Sequence, residues 1–505
     1  MKIDYLGHSE FIVQLRGEQG DVRIMNDVWL SSHAFGDFLT RNPVLPENVA
    51  QCLPDIDGLF ISHPHCDHFD PYTLVPLYKK QRPVLLLPET TAYLRPLLRE
   101  YLNDPEILIL HEGEKVRFRG VTLQGLNFIN GYHTNEDDVM CLAISGSDEF
   151  AFFEGDTAVP DTEEAWEGLY KLAAAKKFQN RLYVAVRNEL EALFLSYDGR
   201  DKAMRRRAMQ QYRRRRDEEI QNDFEKFVDS GVPEIWSLPG MVRVLIGQGM
   251  ILPPELEERA LRLSAPFPLA EVVGQEKKAA ARTGKKLVIM PHKPGFFAEI
   301  ESGRVIKEGR LPYLEKVLHH SVSYDSELIL NRRQIHRPLR NERRNVQQQR
   351  TMMLALLNER YRPALAADLE EPLKKIIREA KGHTYVIEIK YGTAEDFQSI
   401  SYGIGFEDLA FVELDEERQK TTEPAESYWA NDLEDHINGT QDMFSTTLHT
   451  FEEGRNIRLW NWLGLPFLNS DLIMKKMAVH FERAARGETV ADWVLPLAAE
   501  NLKID

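Results

Sequence analysis

Apolar residues along this chain gather into short runs that end at glycine, proline or charged turns. Residues 3–13 and 22–30 are two such runs, and with breaks at Gly17 and Gly20 they predict two or three paired strands. Asp57-Gly58-Leu59-Phe60-Ile61-Ser62 is short enough to form one buried strand. Further apolar runs precede Gly131, Asp156 and Pro291. From about Gly199 the pattern becomes helical. Arg213, Arg214 and Arg215 stand four positions before Asp217, Glu218 and Glu219, the spacing of a solvated helical face, and helical signals continue to about Thr283. Residues 311 to about 380 read as polar helix. Alternation returns at 384–390 and 400–406 and then gives way to helix near Leu433, which predicts a small α+β unit. Trp460, Trp462, Leu463, Leu465, Phe467 and Leu468 read as core or subunit contact, leaving room for a homo-oligomer.

The strand ending at Ser62 delivers an unusual sequence, His63-Pro64-His65-Cys66-Asp67-His68. Three imidazoles and a carboxylate in six positions have no ordinary structural use, and this clustering is the sequence sign of a metal-ligand set. Alternation lets His63 and His65 point to one ion, while Asp67 and His68, past the turn, reach a second ion beside it. Cys66 reads as a small filler, because its neighbours already take the inward directions.

The HxHxDH spacing at a strand end resembles the signature of the metallo-β-lactamase superfamily, and further elements follow in that family's order. Gly131-Tyr132-His133 stands where the family places its next histidine. Gly155-Asp156-Thr157 resembles its Gly-Asp-Thr element, and Pro291-His292 closes another apolar strand. The resemblance implies that His63, His65 and His133 hold one metal, that Asp67, His68 and His292 hold the other, and that Asp156 bridges the two. It also implies an α/β fold, the αββα sandwich of the superfamily.

Gly7-His8-Ser9 resembles the Gly-His element of the branch that contains ascorbate-phosphate lactonases and the phospholipase D acting on N-acylethanolamine phospholipids. Asp27 falls where that branch has an aspartate beneath the metal histidines, placed to accept the second N–H of a ligand imidazole. Tyr5-Leu6-Gly7-His8, Asp27-Val28-Trp29-Leu30, Ile61-Ser62-His63 and Gly131-Tyr132-His133 are also similar to the hydroxylase family that acts on the N-acetyl group of CMP-linked sialic acid. That family carries a Rieske iron–sulfur domain with Cys-x-His and Cys-x-x-His pairs. Here the cysteines are Cys52, Cys66 and Cys141, none so spaced, whereas His292 moves the ligand set toward the hydrolases.

Length and charge narrow the partners. A chain of 505 residues exceeds one core and divides into several units. The expected layout is a first core part at 1–198, a helical insertion at 199–283, a closing strand with the last ligand at 284–310, a helical bridge at 311–380, and a C-terminal α+β domain at 381–505. The last of these is faintly similar to sterol-carrier-like domains. With 63 basic and 79 acidic residues the net charge is −16, which argues against nucleic acid or an anionic membrane as the main partner and leaves a small-molecule substrate. Three irregularly spaced cysteines, no signal-like N-terminus and no run of eighteen apolar residues predict a cytoplasmic protein without a membrane span.

Two adjacent divalent ions support two chemistries. With Zn²⁺, or Mn²⁺, a bridging water becomes a nucleophile near neutral pH, and the enzyme is a hydrolase of a small polar substrate, phosphorylated or nucleotide-linked in the branches it resembles. Asp67 would orient that nucleophile, and His8 would protonate the leaving group. With Fe²⁺ the same ligands suit a diiron oxygenase, which needs an external electron donor because the Rieske ligands are missing. A binding protein that has lost its chemistry is the third reading, and it is disfavoured because no ligand of the pattern is absent.

Overall fold

The structure, a computed structural model, describes residues 1–34, 39–41, 45, 48–126, 139–156, 162–187, 235–247, 269–284, 287–290, 294–314, 345–363, 384–392, 396–405, 408–422, 424, 426–438 and 470–489, with isolated positions between 210 and 225 and at 250–251. The chain opens with a meander of β1 (Lys2–Gly7), β2 (Glu10–Gly17) and β3 (Gly20–Asn26), then a small hairpin, β4 (His33–Ala34) with β5 (Leu39–Arg41). Helix α1 (Val49–Cys52) leads to β6 (Gly58–Phe60), α2 (Pro71–Lys80), β7 (Val84–Pro88), α3 (Arg95–Tyr101) and β8 (Ile107–Leu110). Strands β3, β6, β7 and β8 run parallel.

A second sheet follows from β9 (Lys115–Phe118), β10 (Val121–Leu126), β11 (Cys141–Ser145), β12 (Glu149–Phe153), β13 (Asn180–Val186) and β14 (Met241–Ile246), with α4 (Glu163–Ala173) between β12 and β13. Short β15 (Met250–Ile251) pairs with β5, and α5 (Leu269–Arg282) packs outside the second sheet. Strands β16 (Phe296–Glu301) and β17 (Arg304–Arg310) then return to the first sheet beside β1. Among the described residues the first sheet has the order β17-β16-β1-β2-β3-β6-β7-β8 and the second β14-β13-β12-β11-β10-β9.

Side-chain alternation builds the layers. Phe11, Val13 and Leu15 of β2 meet Leu123, Leu142, Phe153 and Val184 of the second sheet between the two sheets. Ile12, Met25, Leu85 and Leu87 point the other way, into α2 (Leu74, Leu77) and α3 (Leu97, Leu98). Phe150, Phe152 and Tyr183 cover the outer face of the second sheet against Trp166 of α4 and Val272 of α5. The result is the αββα sandwich. Both faces of the central strands are buried, so strands such as β7 read as unbroken apolar runs.

Three expectations change. Within 199–283, expected to be helical, Met241–Ile246 is a core strand, because Val242, Val244 and Ile246 suit a pleated buried surface. Arg216, expected on a solvated face, is buried, whereas Arg214 and Asp217 to Glu219 are exposed. Residues 287–290 contribute a single bridge, Ile289 to Arg243, where a full closing strand was expected; hairpin β16–β17 closes the first sheet instead.

The C-terminal sheet is formed by β18 (Thr384–Gly392), β19 (Phe397–Gly405), β20 (Phe411–Glu413) and β21 (Glu426–Trp429), in the order β20-β19-β18-β21. Its core draws Met353 from α6 (Val346–Ala355), with Leu357 and Tyr361 beyond it, and Leu433 from α8 (Ala430–Ile437), which follows α7 (Glu416–Thr421). The end of the expected helical bridge thus packs with this unit. Helix α9 (Ser470–Ala485) lies on α2 and α3 through Met477 and Phe481. No described helix is long and apolar enough to cross a membrane.

Candidate metal centre

The cluster sits where strand ends from both sheets meet. After β6 the chain passes Ser62 and turns tightly, with the backbone N–H groups of His68 and Phe69 donating to the His65 carbonyl at 2.9 and 2.7 Å. Helix α2 starts immediately afterwards. Asp70 caps it by accepting from the Tyr72 N–H at 2.9 Å, and Pro71 occupies the first helical position. The ligand turn is therefore fixed at both ends by regular structure. Asp156 arrives from the other sheet, three residues past the end of β12.

The donor atoms fall into two groups that share an edge. His63, His65 and Asp156 form one, and His8, Asp67 and His68 the other, each with ligand atoms within 4.8 Å of one another. His63 Nε2 lies 2.9 Å from His65 Nδ1 and 3.9 Å from Asp156 Oδ2. That Asp156 oxygen is also 3.3 Å from His68 Nε2, which in turn is 3.8 Å from Asp67 Oδ2. Ligands about 2.1 Å from a tetrahedral ion stand about 3.4 Å apart, so these spacings fit a pair of ions with Asp156 between them. His133 and His292, implied as ligands by resemblance, lie outside the described residues.

Electrostatics favour cations here. Among the described residues, the ion pairs of Asp27 and Asp67 are made with histidines alone, and Oδ1 of buried Asp67 has no hydrogen-bond partner. Burial lowers the His63 imidazole well below its ordinary range, leaving it neutral with a lone pair to give. Burial also acts to lower His68, yet Asp156, Asp27 and Asp67 outweigh it and hold that ring well above its ordinary value. Excess carboxylate in a buried place is what a divalent ion would neutralise.

Asp27 lies beneath the His68 imidazole. It accepts from His68 Nδ1 at 2.7 Å, from the Ser62 N–H at 2.8 Å and from the Ser62 hydroxyl at 2.9 Å, which leaves His68 Nε2 facing the carboxylates. Its backbone is left-handed, with φ 51°, a conformation aspartate tolerates better than most residues. His8 is fully buried with Nε2 3.2 Å from Asp67 Oδ2, so its imidazole faces a carboxylate. Sequence reasoning gave no role to Ser62, whose hydroxyl lies 2.9 Å from His63 Nδ1, nor to Glu10 and Arg41, a buried ion pair under His8. The serine before His63 was visible in the motif; nothing near Arg41 marked it.

Residues 23–175 match the Beta-lactamase superfamily domain. That stretch of superfamily domain contains His63, His65, Asp67, His68, His133 and Asp156, while His8 and His292 lie outside it. No curated protein matches the chain. Among solved structures, CmlA, a diiron beta-hydroxylase from Streptomyces venezuelae, is 17% identical over 38% of this chain and 35% of its own, with a TM-score of 0.27. This chain thus spans about a third of CmlA's length. The metallo-beta-lactamase fold protein YhfI from Bacillus subtilis is 13% identical over 37% of this chain and 72% of its own, with a TM-score of 0.25. Metallo-beta-lactamase SMB-1 is 11% identical over 36% and 78%, with a TM-score of 0.20.

Proposed function

We propose that this chain is a metal-dependent hydrolase with two adjacent divalent ions, acting on a small polar substrate that carries a phosphate or nucleotide group. One observation carries the reading: the spacing of donors around Asp156, whose Oδ2 is 3.9 Å from His63 Nε2 and 3.3 Å from His68 Nε2, as a shared ligand requires. His63 and His65, with His133 by resemblance, would hold one ion, and Asp67 and His68, with His292 by resemblance, the other. Zn²⁺ or Mn²⁺ bound there supplies Lewis acidity and lowers the pKa of water toward neutrality.

The remaining roles belong to the protein. Asp27 fixes the His68 tautomer through the 2.7 Å bond to Nδ1, and Ser62 ties Asp27 to His63. The His8 N–H on Asp67 Oδ2 keeps that carboxylate oriented and ionised; burial acts to raise it, but His68 and His8 hold it below its usual range. Asp67 Oδ1, with no hydrogen-bond partner among the described residues, is left to receive a proton or an ion.

The residue likeness to the sialic-acid hydroxylase family favours a second reading, a diiron oxygenase. Its electrons would come from a separate donor, since Cys52, Cys66 and Cys141 form no Rieske pairs. Metal analysis followed by paired assays separates the readings. Apoprotein loaded with Zn²⁺ or Mn²⁺ should hydrolyse phosphodiester, lactone or amide probes. Stoichiometric oxygen uptake by the Fe²⁺-loaded protein, without hydrolysis by the other forms, would replace the first reading with the second.

A further inference from the structure

The turn that carries His8 is braced from below by two buried opposite charges. Gly7 has φ 134° and His8 has φ 44°, backbone conformations that side-chain-bearing residues seldom keep unless their surroundings impose them. Arg41, the last residue of β5, and Glu10, the first of β2, are both fully buried, and Arg41 Nη1 donates to Glu10 Oε2 at 2.6 Å. The same guanidinium donates to the Trp29 carbonyl and, at 3.4 Å, to the Leu6 carbonyl just before the turn. Its carbon lies 5.3 Å from the Trp29 ring, and the His8 imidazole packs edge-on against that same indole, also at 5.3 Å.

The fit leaves little slack. A Cβ at residue 7 would stand 2.9 Å from Arg41 Nη2, so glycine is the residue that lets the guanidinium lie against the turn. From above, the His8 carbonyl accepts from the Gly247 N–H at 2.9 Å and from the Tyr5 hydroxyl at 3.1 Å. Gly247 follows β14, and β15 just beyond it pairs with β5, the strand that carries Arg41. Three separate pieces of chain therefore converge on one residue. A buried ion pair is a weak source of net stability compared with an apolar pair of similar size, whereas its bond directions are specific.

We propose that Arg41 and Glu10 are positioning residues whose buried ion pair props the Gly7–His8 turn, so that the His8 imidazole keeps its Nε2 on Asp67. This deepens the dinuclear reading, since Asp67 is taken there as a ligand of the second ion, but the contact it describes exists without any ion. Loosening the prop frees the His8 ring and, through it, Asp67. The first ion, on His63 and His65, shares no bond with Arg41 or Glu10 and keeps its affinity.

The test uses the full chain labelled with ¹⁵N-histidine, after chelation and again with metal. In the chelated wild type, the His8 signal, assigned by its loss in His8→Gln, should report a slowly exchanging Nε2–H. The double variant Glu10→Leu/Arg41→Met removes both charges and leaves neither buried alone. It should keep the wild-type circular dichroism, lose His8 proton protection by about ten-fold or more, and bind the second equivalent of Co²⁺ about ten-fold more weakly with the first unchanged. Glu10→Asp, which keeps both charges and shortens one arm, gives the same comparison should the double variant fail to fold. Wild-type His8 protection in the folded variants, or no Nε2–H on His8 in the wild type, overturns the proposal. A wild type that takes up no metal overturns the dinuclear reading instead, and the proton-exchange result still decides the role of Arg41 and Glu10.

Discussion

Replacing Glu276 should destabilise the second sheet by an amount the structure sets. Glu276 on α5 is fully buried and accepts from Arg243 Nε at 2.7 Å, Arg243 Nη2 at 3.0 Å and Arg187 Nε at 2.8 Å. Arg243 sits in the middle of β14, stacked 4.3 Å from the Trp236 ring, and Arg187 follows the end of β13. Burial acts to raise the Glu276 carboxyl, but Arg243 and Arg187 override it and bring the pKa down to about 2 from 4.5. That lowering corresponds to about 3 kcal/mol. Because the folded pKa is the lower one, this stabilisation is complete above the unfolded value near 4.5 and is lost as pH falls from there toward 2. About two fifths of it is gone at about pH 3.5. Glu276→Gln forfeits it at every pH and leaves two guanidiniums facing an amide. At about 2–4 °C per kcal/mol for a domain of this size, its melting temperature at neutral pH should fall by about 6–12 °C, and the gap to wild type should narrow in acid. Thermal unfolding followed by tryptophan fluorescence at several pH values reads both. A variant melting within about 2 °C of wild type at neutral pH, or a gap that stays constant into acid, would refute the reasoning.

Three further outcomes follow from the same geometry. Asp156→Ala should strip both ions and His63→Ala one, each with a modest effect on folding; unchanged metal content in both, measured by elemental analysis, would mean that the ligand assignment is wrong. Gly155→Ala should weaken metal binding without touching a ligand, since the new Cβ would lie 2.4 Å from Val139 Cγ1 and 3.5 Å from Ser62 Cβ, pushing the Asp156 strand end outward; wild-type Co²⁺ spectra in this variant would count against that. His480 is buried on α9 with Nδ1 3.1 Å from the Tyr72 hydroxyl, and burial, aided by Lys476 and Arg483, lowers it to about 3 from 6.5. Its folded form is the neutral one, so α9 is held fully above pH 6.5 and loses that hold as pH falls toward 3; hydrogen-exchange protection in 470–485, relative to the intrinsic exchange rate at each pH, should fall over this window in wild type and not in His480→Gln.

How much of this was legible in the chain depended on whether a feature was local. The cluster 63–68 is contiguous, follows an apolar run and ends at the helix start Asp70-Pro71, so its place at a strand end could be read directly. The bond from Asp27 to His68 spans 41 positions and was visible only through family likeness. Strand β14 was hidden by Arg243, a charge in the centre of an otherwise apolar hexamer. A charge there argues against a buried strand until Glu276, on a helix 33 residues later, is seen to neutralise it. Hairpin β16–β17 carries exposed Glu301, Arg304 and Lys307 and reads as surface, although it extends the first sheet beside β1. Arg41 and Glu10 gave no signal, because their meaning depends on a left-handed turn that no propensity predicts for histidine.

These hidden pieces share a physical logic with the visible ones. Buried charges bonded to a partner on a different element recur through the sandwich: Asp27 to His68, Glu276 to Arg243 and Arg187, Arg41 to Glu10. Apolar packing between the sheets sets the distance of one layer from the other, but it is non-directional and tolerates sliding of the order that would ruin ligand geometry. Hydrogen-bonded ion pairs fix direction at a cost in desolvation, and two of the three, Asp27 to His68 and Arg41 to Glu10, lie beside the cluster of Asp67, Asp156 and the imidazoles. A sandwich held only by its apolar core would bring the same ligands near one another. With such pairs beside them, Asp67 Oδ2 and Asp156 Oδ2 stand 3.8 and 3.3 Å from His68 Nε2.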